Sequence, residues 1–330
     1  MRTFRLIRPI PALLVAAFVA APRAMAHHPA SASMAQSHSG DHDEPSGSPM
    51  MLTPVGSSLG RRRLTVGFGW EHRRYNTIPA RDAHELHHED RDVHGKNHEE
   101  RYAMQLGYGV TERLSVFASL PIVSKSSIQI DNHRHLGRGE RSAGVGDLAV
   151  SAQYQFAEGP IDAAVRSGVE APTGETSDHD QAGQKFEPEQ QPGGGAWNGE
   201  FGLAASRQLG PISVASGASY VRHGEGAQDH RSGDAIRSSV GFGCALPLAK
   251  AARAHAVLEL QGEWAFRDRS RGERHVLDSG GTTVLVSLGV ALSTEQMTLY
   301  WAMPVPVYQN LGGEHEELKY ELLSGMVWRF

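Results

Sequence analysis

The chain has 330 residues, a formal net charge of -5, one cysteine and 39% apolar residues. This weak acidity offers nucleic acid no basic face, and a single cysteine excludes an internal disulfide framework. Beyond the N-terminal segment no run of about twenty apolar residues occurs, so no helix is expected to cross a bilayer.

Residues 1–26 read as a secretory signal peptide. Arg2, Arg5 and Arg8 form its basic start, and residues 10–21 are apolar but too short to span and interrupted by Pro11. Ala24-Met25-Ala26 is a small-x-small cleavage site. Residues 27–58 are poor in apolar side chains and rich in Ser, His, Gly, Pro and Asp, which predicts a disordered, His-rich periplasmic arm.

Regular alternation then begins and continues to the end of the chain, so residues 59–330 read as one β domain. The first strand puts Leu64, Val66, Phe68 and Trp70 on one face and Thr65, Gly67, Gly69 and Glu71 on the other. The second carries Tyr102, Met104, Leu106, Tyr108 and Val110 outward, and the third Leu114, Val116, Ala118, Leu120 and Ile122. The fourth shows Leu148, Val150, Ala152, Tyr154 and Phe156, and the fifth Ile161, Ala163, Val165 and Val169. Trp197, Phe201 and Leu203 mark the sixth, Ile212, Val214 and Tyr220 the seventh, and Ile236, Val240, Phe242, Cys244 and Leu246 the eighth. Leu258, Leu260, Trp264 and Phe266 mark the ninth, Val284, Val286, Leu288, Val290 and Leu292 the tenth, and Met297, Leu299, Trp301, Met303 and Val305 the eleventh. Cys244 shares the outward face and reads as an inert apolar thiol.

The connections alternate in length. Residues 77–99, 131–146, 171–195, 223–233, 267–280 and 308–315 are long and polar, whereas 111–113, 158–160, 209–211, 247–253 and 293–296 are short. The last strand sets Tyr320, Leu322, Met326, Trp328 and Phe330 on an apolar face, with Lys319, Glu321, Gly325 and Arg329 opposite. Leu323 and Ser324 break that alternation and Val327 blurs it. The chain ends on an aromatic, an ending that resembles the C-terminal signal of outer-membrane barrel proteins. Tyr320, Trp328 and Phe330 are its candidate assembly residues.

These features predict an all-β fold: a single-chain transmembrane antiparallel β-barrel of about twelve strands, of the bacterial outer-membrane type. An even strand number places both termini in the periplasm. Outer-membrane lipid and the barrel assembly machinery are the implied partners. A secreted soluble β-sandwich or barrel is the alternative.

If the apolar set meets lipid, the opposite set lines a lumen. Gln105, Asp147, Gln153, Asp162, Arg166, Glu170, Asn198, Glu200, Glu259 and Glu263 are its candidate solute-path residues, with Gln155 and Gln261 beside them. Asp147 and Arg166 lie on neighbouring predicted strands and could pair across the lumen. About eight strands are filled by side chains and sixteen enclose a water channel, so twelve predict a narrow pore, constricted by a loop or by the arm. The expected function is passive passage of small solutes.

Eighteen histidines concentrate in the arm and the long loops. His84, His87 and His88 lie beside Glu85, Glu89 and Asp90, and a mature chain starting at His27-His28 would present an α-amine next to imidazoles. Both sets suit zinc, copper or nickel, although neither shows the spacing of a defined site. The alternative function is therefore a His-rich, metal-binding surface protein with a closed lumen. No cofactor is otherwise expected. Catalysis in such a barrel would need an oriented Ser-His pair, and no nucleophile motif accompanies His72 or His255, so no catalytic residue is assigned.

Two motifs carry a family resemblance: Gly144-Val145-Gly146-Asp147-Leu148 running into Val150-Ser151-Ala152-Gln153-Tyr154, and Gly168-Val169-Glu170-Ala171-Pro172-Thr173-Gly174-Glu175, followed by Pro192-Gly193-Gly194-Gly195. Together they resemble the outer-membrane channel family associated with the meta-cleavage pathway of phenol degradation, whose members are labelled transporters. The resemblance covers residues 144–205 and implies passage of small, aromatic solutes. The His-rich arm and first loop depart from that pattern and point to metal-related traffic.

Overall fold

The computed structural model describes residues 49–76, 93–132, 135–249, 252–270, 274–275, 279–311 and 317–330. The signal segment, arm residues 27–48 and the candidate metal ligands His27, His28, His84, His87 and His88 lie outside the described residues.

Twelve long strands form the wall: β1 (Leu64–Tyr75), β2 (His98–Gly109), β3 (Leu114–Asn132), β4 (Leu148–Ala157), β5 (Asp162–Ala171), β6 (Asn198–Leu209), β7 (Ile212–Arg222), β8 (Ala235–Ala249), β9 (Ala252–Ala265), β10 (Gly281–Ser293), β11 (Met297–Leu311) and β12 (Leu318–Arg329). Each pairs antiparallel with its neighbour in sequence, and β12 returns to β1, with Val66 opposite Trp328 and Phe68 opposite Met326. The ring is a closed twelve-stranded antiparallel barrel of the outer-membrane type. Beyond β12 the ladder continues through Phe330, whose N–H donates to Leu64 O at 2.9 Å and whose O accepts from Leu64 N at 3.1 Å.

Strand formation follows the period-2 pattern because each residue meets one of two different media. Met104, Leu106, Ile122, Phe201, Leu203, Leu288, Trp301 and Met303 all stand exposed on the outer face. An apolar belt this continuous is untenable in water and is stabilised by lipid, at about 25 cal/mol per Å² removed from water. At the end carrying the long loops the belt stops. There the outward-facing His72 Nδ1 lies 2.6 Å from Glu100 Oε1, and Trp70 Nε1 donates to Glu100 Oε2 at 2.6 Å. The ring nitrogen of Trp70 faces polar groups while its body faces apolar ones, as an interfacial aromatic does.

Two seams are short. β3 pairs with β4 only from Leu114 to Ser119. Above that, β3 forms a hairpin with the strand His135–Val145, and the short strand Val93–Gly95 pairs with its tip. The segment expected as the loop 131–146 is therefore mostly strand. Its Ser, Gly and Arg content gives no apolar face, because both sides of the hairpin leave the membrane band. β11 pairs with β12 only from Met297 to Ala302. Pro304 and Pro306 follow, and neither has an N–H to give a ladder. At the loop end Gln309 replaces the ladder with its side chain: Nε2 donates to Leu318 O at 2.9 Å, and Leu318 N donates to Oε1 at 3.0 Å.

One expectation is overturned here. Residues 49–58, read as the end of a disordered arm, are packed inside the barrel: Met50, Met51, Thr53 and Val55 are all buried. Low apolar content holds for the arm as a whole, but Met50-Met51-Leu52-Thr53-Pro54-Val55 is a local apolar run that finds a cavity to fill.

Candidate functional site: the occluded lumen

The lumen has three levels, each built from the inward-facing half of the alternation. The lowest, at the end with the short turns, is filled by residues 49–59. Left-handed Gly60 (φ 80°) and Arg62 (φ 60°) reverse the chain ahead of β1, sending the preceding segment back into the barrel. Met50, Met51 and Val55 pack with Ala215, Val257, Ala291, Tyr300, Ala302, Leu323 and Val327, all on inner faces. Leu323 and Val327, which break the pattern of the last strand, therefore have partners: they contact this internal plug. Ser324 remains on the outer face, opposite Trp70.

A segment inside a barrel has no sheet partner, so its backbone must be satisfied by side chains. Glu259 Oε1 accepts Leu52 N at 3.0 Å and Thr53 N at 2.7 Å. Ser206 Oγ accepts Gly56 N at 3.0 Å, Gln155 Oε1 accepts Ser58 N at 2.8 Å, and Ser115 Oγ accepts Leu59 N at 2.9 Å. Gln153 Nε2 donates to Val55 O at 3.2 Å and Ser57 O at 2.6 Å. Glu259 and Gln153, expected on a solute path, thus hold the plug. Asp162 lies at the turn after β4, where Oδ1 accepts Gly159 N at 3.3 Å and Gln155 Nε2 at 3.3 Å.

Above the plug is a cavity of about 290 Å³, floored by Leu52 and Pro54. It is lined by Arg73, Arg101, Arg166 and Arg237 against Glu71, Glu170, Glu200, Glu263 and Glu321, with Gln105, Asn198 and Gln261 between them. Four arginines against five glutamates leave a nearly balanced lining, so the wall does not reject either sign of ion outright. The charges are held by one another. Arg73 Nε lies 2.6 Å from Glu71 Oε1 and 2.9 Å from Glu321 Oε1, joining β1 to β12. Arg237 Nε donates to Glu263 Oε2 at 2.7 Å, and Asn198 Nδ2 donates to Glu170 Oε1 at 2.7 Å. Buried charges at this depth are tolerable only when paired, because desolvation costs several kcal/mol per ion. Seven sequence-predicted lining residues, Gln105, Arg166, Glu170, Asn198, Glu200, Gln261 and Glu263, meet at this cavity.

The third level is a cap of inward-folded loops at the other end. Asp147 belongs here and does not pair with Arg166. Its Oδ1 accepts Gly174 N at 2.8 Å and its Oδ2 accepts Gly194 N at 2.7 Å, pinning both ends of the β5–β6 loop. The glycines of the two sequence motifs thus serve a carboxylate clamp at the rim. Lys125 Nζ donates to Glu189 O at 2.8 Å and Gln191 O at 2.6 Å. Gln191 Nε2 and Gln228 Nε2 each donate to Phe186 O at 2.9 Å, and Phe186 is 2% exposed. In the β7–β8 loop, His223 Nδ1 lies 2.8 Å from Gly233 O, and burial holds its pKa below the ordinary 6.5. Burial works against the ionised Asp234. Even so, hydrogen bonds from the Tyr220 hydroxyl, His223 N and Arg231 hold its pKa below the ordinary 3.8.

Sequence reasoning missed the plug residues Met50 to Leu59 and the plug-binding Ser115 and Ser206. The available signal was the set of apolar side chains on the otherwise polar inner face: Val257, Leu323 and Val327. The candidate assembly residues lie at the closing seam. Trp328 is outward opposite Val66, Phe330 pairs with Leu64, and the Tyr320 ring stands 6.1 Å from that of His72.

No family model matches the sequence, and no curated protein sequence does. Among solved structures, the chain is similar to an outer membrane channel from Pseudomonas putida F1, with a TM-score of 0.58 at 14% identity over 83% of this chain and 97% of that one. Looser likenesses are the beta domain of the Bordetella autotransporter BrkA (TM-score 0.44, 11% identity, 82% and 100% covered) and the translocator domain of the autotransporter NalP from Neisseria meningitidis (TM-score 0.43, 10% identity, 82% and 89% covered). The first of these likenesses shows a shared barrel fold.

Proposed function

We propose that this protein is an outer-membrane channel for passive passage of small solutes, held shut at its periplasmic end by residues 49–59. Short turns, the start of β1 and the end of β12 share one rim of the barrel, and in bacterial barrels the short turns mark the periplasmic rim. The observation that carries the reading is the charge-lined cavity of about 290 Å³ above a floor of Leu52 and Pro54. A wall built only for stability would be filled with side chains; this one keeps space and lines it with both signs of charge. Phe117 and Leu285 also line the cavity beside the arginines, which suits the aromatic solute implied by the family resemblance. The plug itself favours a second reading, a surface protein whose lumen never opens and whose His-rich segments bind metal.

A disulfide lock separates the two. A Cβ placed at Gly241 would stand 3.3 Å from the Cβ of Thr53, slightly inside the separation a disulfide takes, and 2.8 Å from Met50 Sδ, the end of a flexible side chain that can give way. The variant Thr53→Cys/Gly241→Cys, with Cys244→Ser to remove the native thiol, is expected to be silent in planar bilayers when oxidised. It should show channel events after reduction. Folded protein that stays silent both when reduced and when residues 49–59 are deleted sinks the channel reading and favours the closed lumen.

A further inference from the structure

Three loops meet at the cap, and each brings one metal-ligating side chain to the same point. Glu189 stands in the 3-10 turn Pro188–Gln190 of the β5–β6 loop. His230 opens the short strand His230–Arg231 of the β7–β8 loop, and Asp268 precedes the short strand Arg269–Ser270 of the β9–β10 loop. These two strands pair, with His230 opposite Ser270 and Arg231 opposite Arg269, which sets His230 and Asp268 side by side. One donor atom from each of the three residues lies within 4.8 Å of the others. His230 Nε2 and Asp268 Oδ2 are 3.6 Å apart.

We propose that Glu189, His230 and Asp268 bind a divalent transition-metal ion, with zinc the best match, and that the ion clamps the three loops together. The spacing fits. Zinc bonds to nitrogen and oxygen are about 2.0–2.2 Å, so two ligands of one ion stand at most about 4.4 Å apart. The His230–Asp268 pair is already inside that limit, and the third ligand needs only a small closing movement.

The surroundings favour an ion over a simple polar cluster. His230 Nε2 is buried and makes no hydrogen bond among the described residues. A buried imidazole nitrogen that makes no hydrogen bond is unfavourable, and its lone pair is what a metal takes. Asp268 is oriented by its other groups: Oδ1 accepts Gly233 N at 2.6 Å, and its own N donates to Ser279 Oγ at 2.8 Å. Oδ2 is thereby turned toward His230. Outer hydrogen bonds of this kind fix a ligand's direction before the ion arrives. The turn carrying Glu189 is held through its carbonyl by Lys125. One imidazole with two carboxylates selects borderline ions over calcium and magnesium, which prefer all-oxygen sets.

This site is separate from the His-rich arm and first loop, and it stands whether or not the lumen conducts. It would join positions 189, 230 and 268, which share no sheet of the barrel wall, and so stiffen the cap.

The test uses the full chain folded in chelator-stripped detergent micelles. His27, His28, His84, His87 and His88 are changed to Ala to remove competing imidazoles. Titration with zinc, read by displacement of cobalt(II) from its visible bands, should find one equivalent bound. Affinity should fall at least tenfold in Glu189→Gln and in His230→Ala. Glu189 is only partly buried, so its variant keeps the fold, which heat-modifiable gel mobility verifies. Unchanged stoichiometry and affinity in both folded variants would overturn the proposal. So would calcium or magnesium competing as well as zinc.

Discussion

The Glu259 carboxylate on β9 accepts the backbone N–H of Thr53 at 2.7 Å, across 206 residues of sequence. The same oxygen takes Leu52 N at 3.0 Å, so one buried carboxyl group anchors two successive amides of the plug. Removing it leaves two buried N–H groups without their acceptor, at about 1–3 kcal/mol each. Glu259→Ala is therefore expected to loosen the plug more than Ser206→Ala, which removes a single neutral acceptor. Single-channel recording checks this: Glu259→Ala should open more often than Ser206→Ala, and Ser206→Ala more often than the parent.

Gly56 sits where the plug crosses β5. A Cβ there would lie 2.1 Å from Asp162 O, a backbone atom that cannot swing away. Gly56→Val should unseat residues 49–59 while leaving every wall residue unchanged in sequence. Limited proteolysis of the folded barrel should then cut within that segment, which stays protected in the parent.

Removing one partner of the Arg237–Glu263 pair shifts the charge balance of the cavity. Arg237→Ala leaves three arginines against five glutamates around the space. With a conducting variant as background, the reversal potential in a salt gradient should shift toward cation preference, and Glu263→Gln should shift it the other way. Stability should fall in both, by about 3–5 kcal/mol for a fully buried pair and less here because the cavity admits water.

His223, just beyond β7, is neutral in the cap because burial lowers its pKa. Gly233 O, Glu170 and Glu263 favour its charged form, while Arg237 opposes it. A base whose folded pKa is depressed adds stability above its unfolded value of about 6.5, and that stability is lost as pH falls toward the folded pKa. Protease sensitivity of the 223–234 loop should therefore rise as pH drops below about 6.5, and His223→Gln should flatten that rise. An unchanged pH profile in the variant would remove His223 from the account.

Phe330 completes the ladder with Leu64, and the two exchange hydrogen bonds of 2.9 and 3.1 Å. Deleting Phe330 should impair membrane assembly more than deleting several residues of the arm, measured as the fraction of protein reaching the heat-modifiable barrel form. Equal assembly of both deletions would count against the closing role of this strand end.

All twelve wall strands and the sense of their faces were legible in the sequence, because lipid and lumen act on each residue separately. Leu64 to Trp70 and Tyr102 to Tyr108 alternate whatever their neighbours do, so the pattern survives without knowledge of pairing. The hairpin after β3 was not legible, since outside the membrane band nothing forces one of its faces to be apolar. The site divided in the same way. That Gln153, Glu259, Arg166 and Glu263 point inward follows from their place in the alternation. Which of them meets solute space and which holds the plug was decided only by where residues 49–59 come to rest. That segment is bound through side-chain-to-backbone contacts with positions about 50 to 200 residues away, and such contacts leave no periodic trace in either partner. The wall and its two faces follow from the order of residues alone, through local partitioning between lipid and water. What fills the barrel depends on the folded chain, because the plug and the cap are held by contacts between segments far apart in sequence.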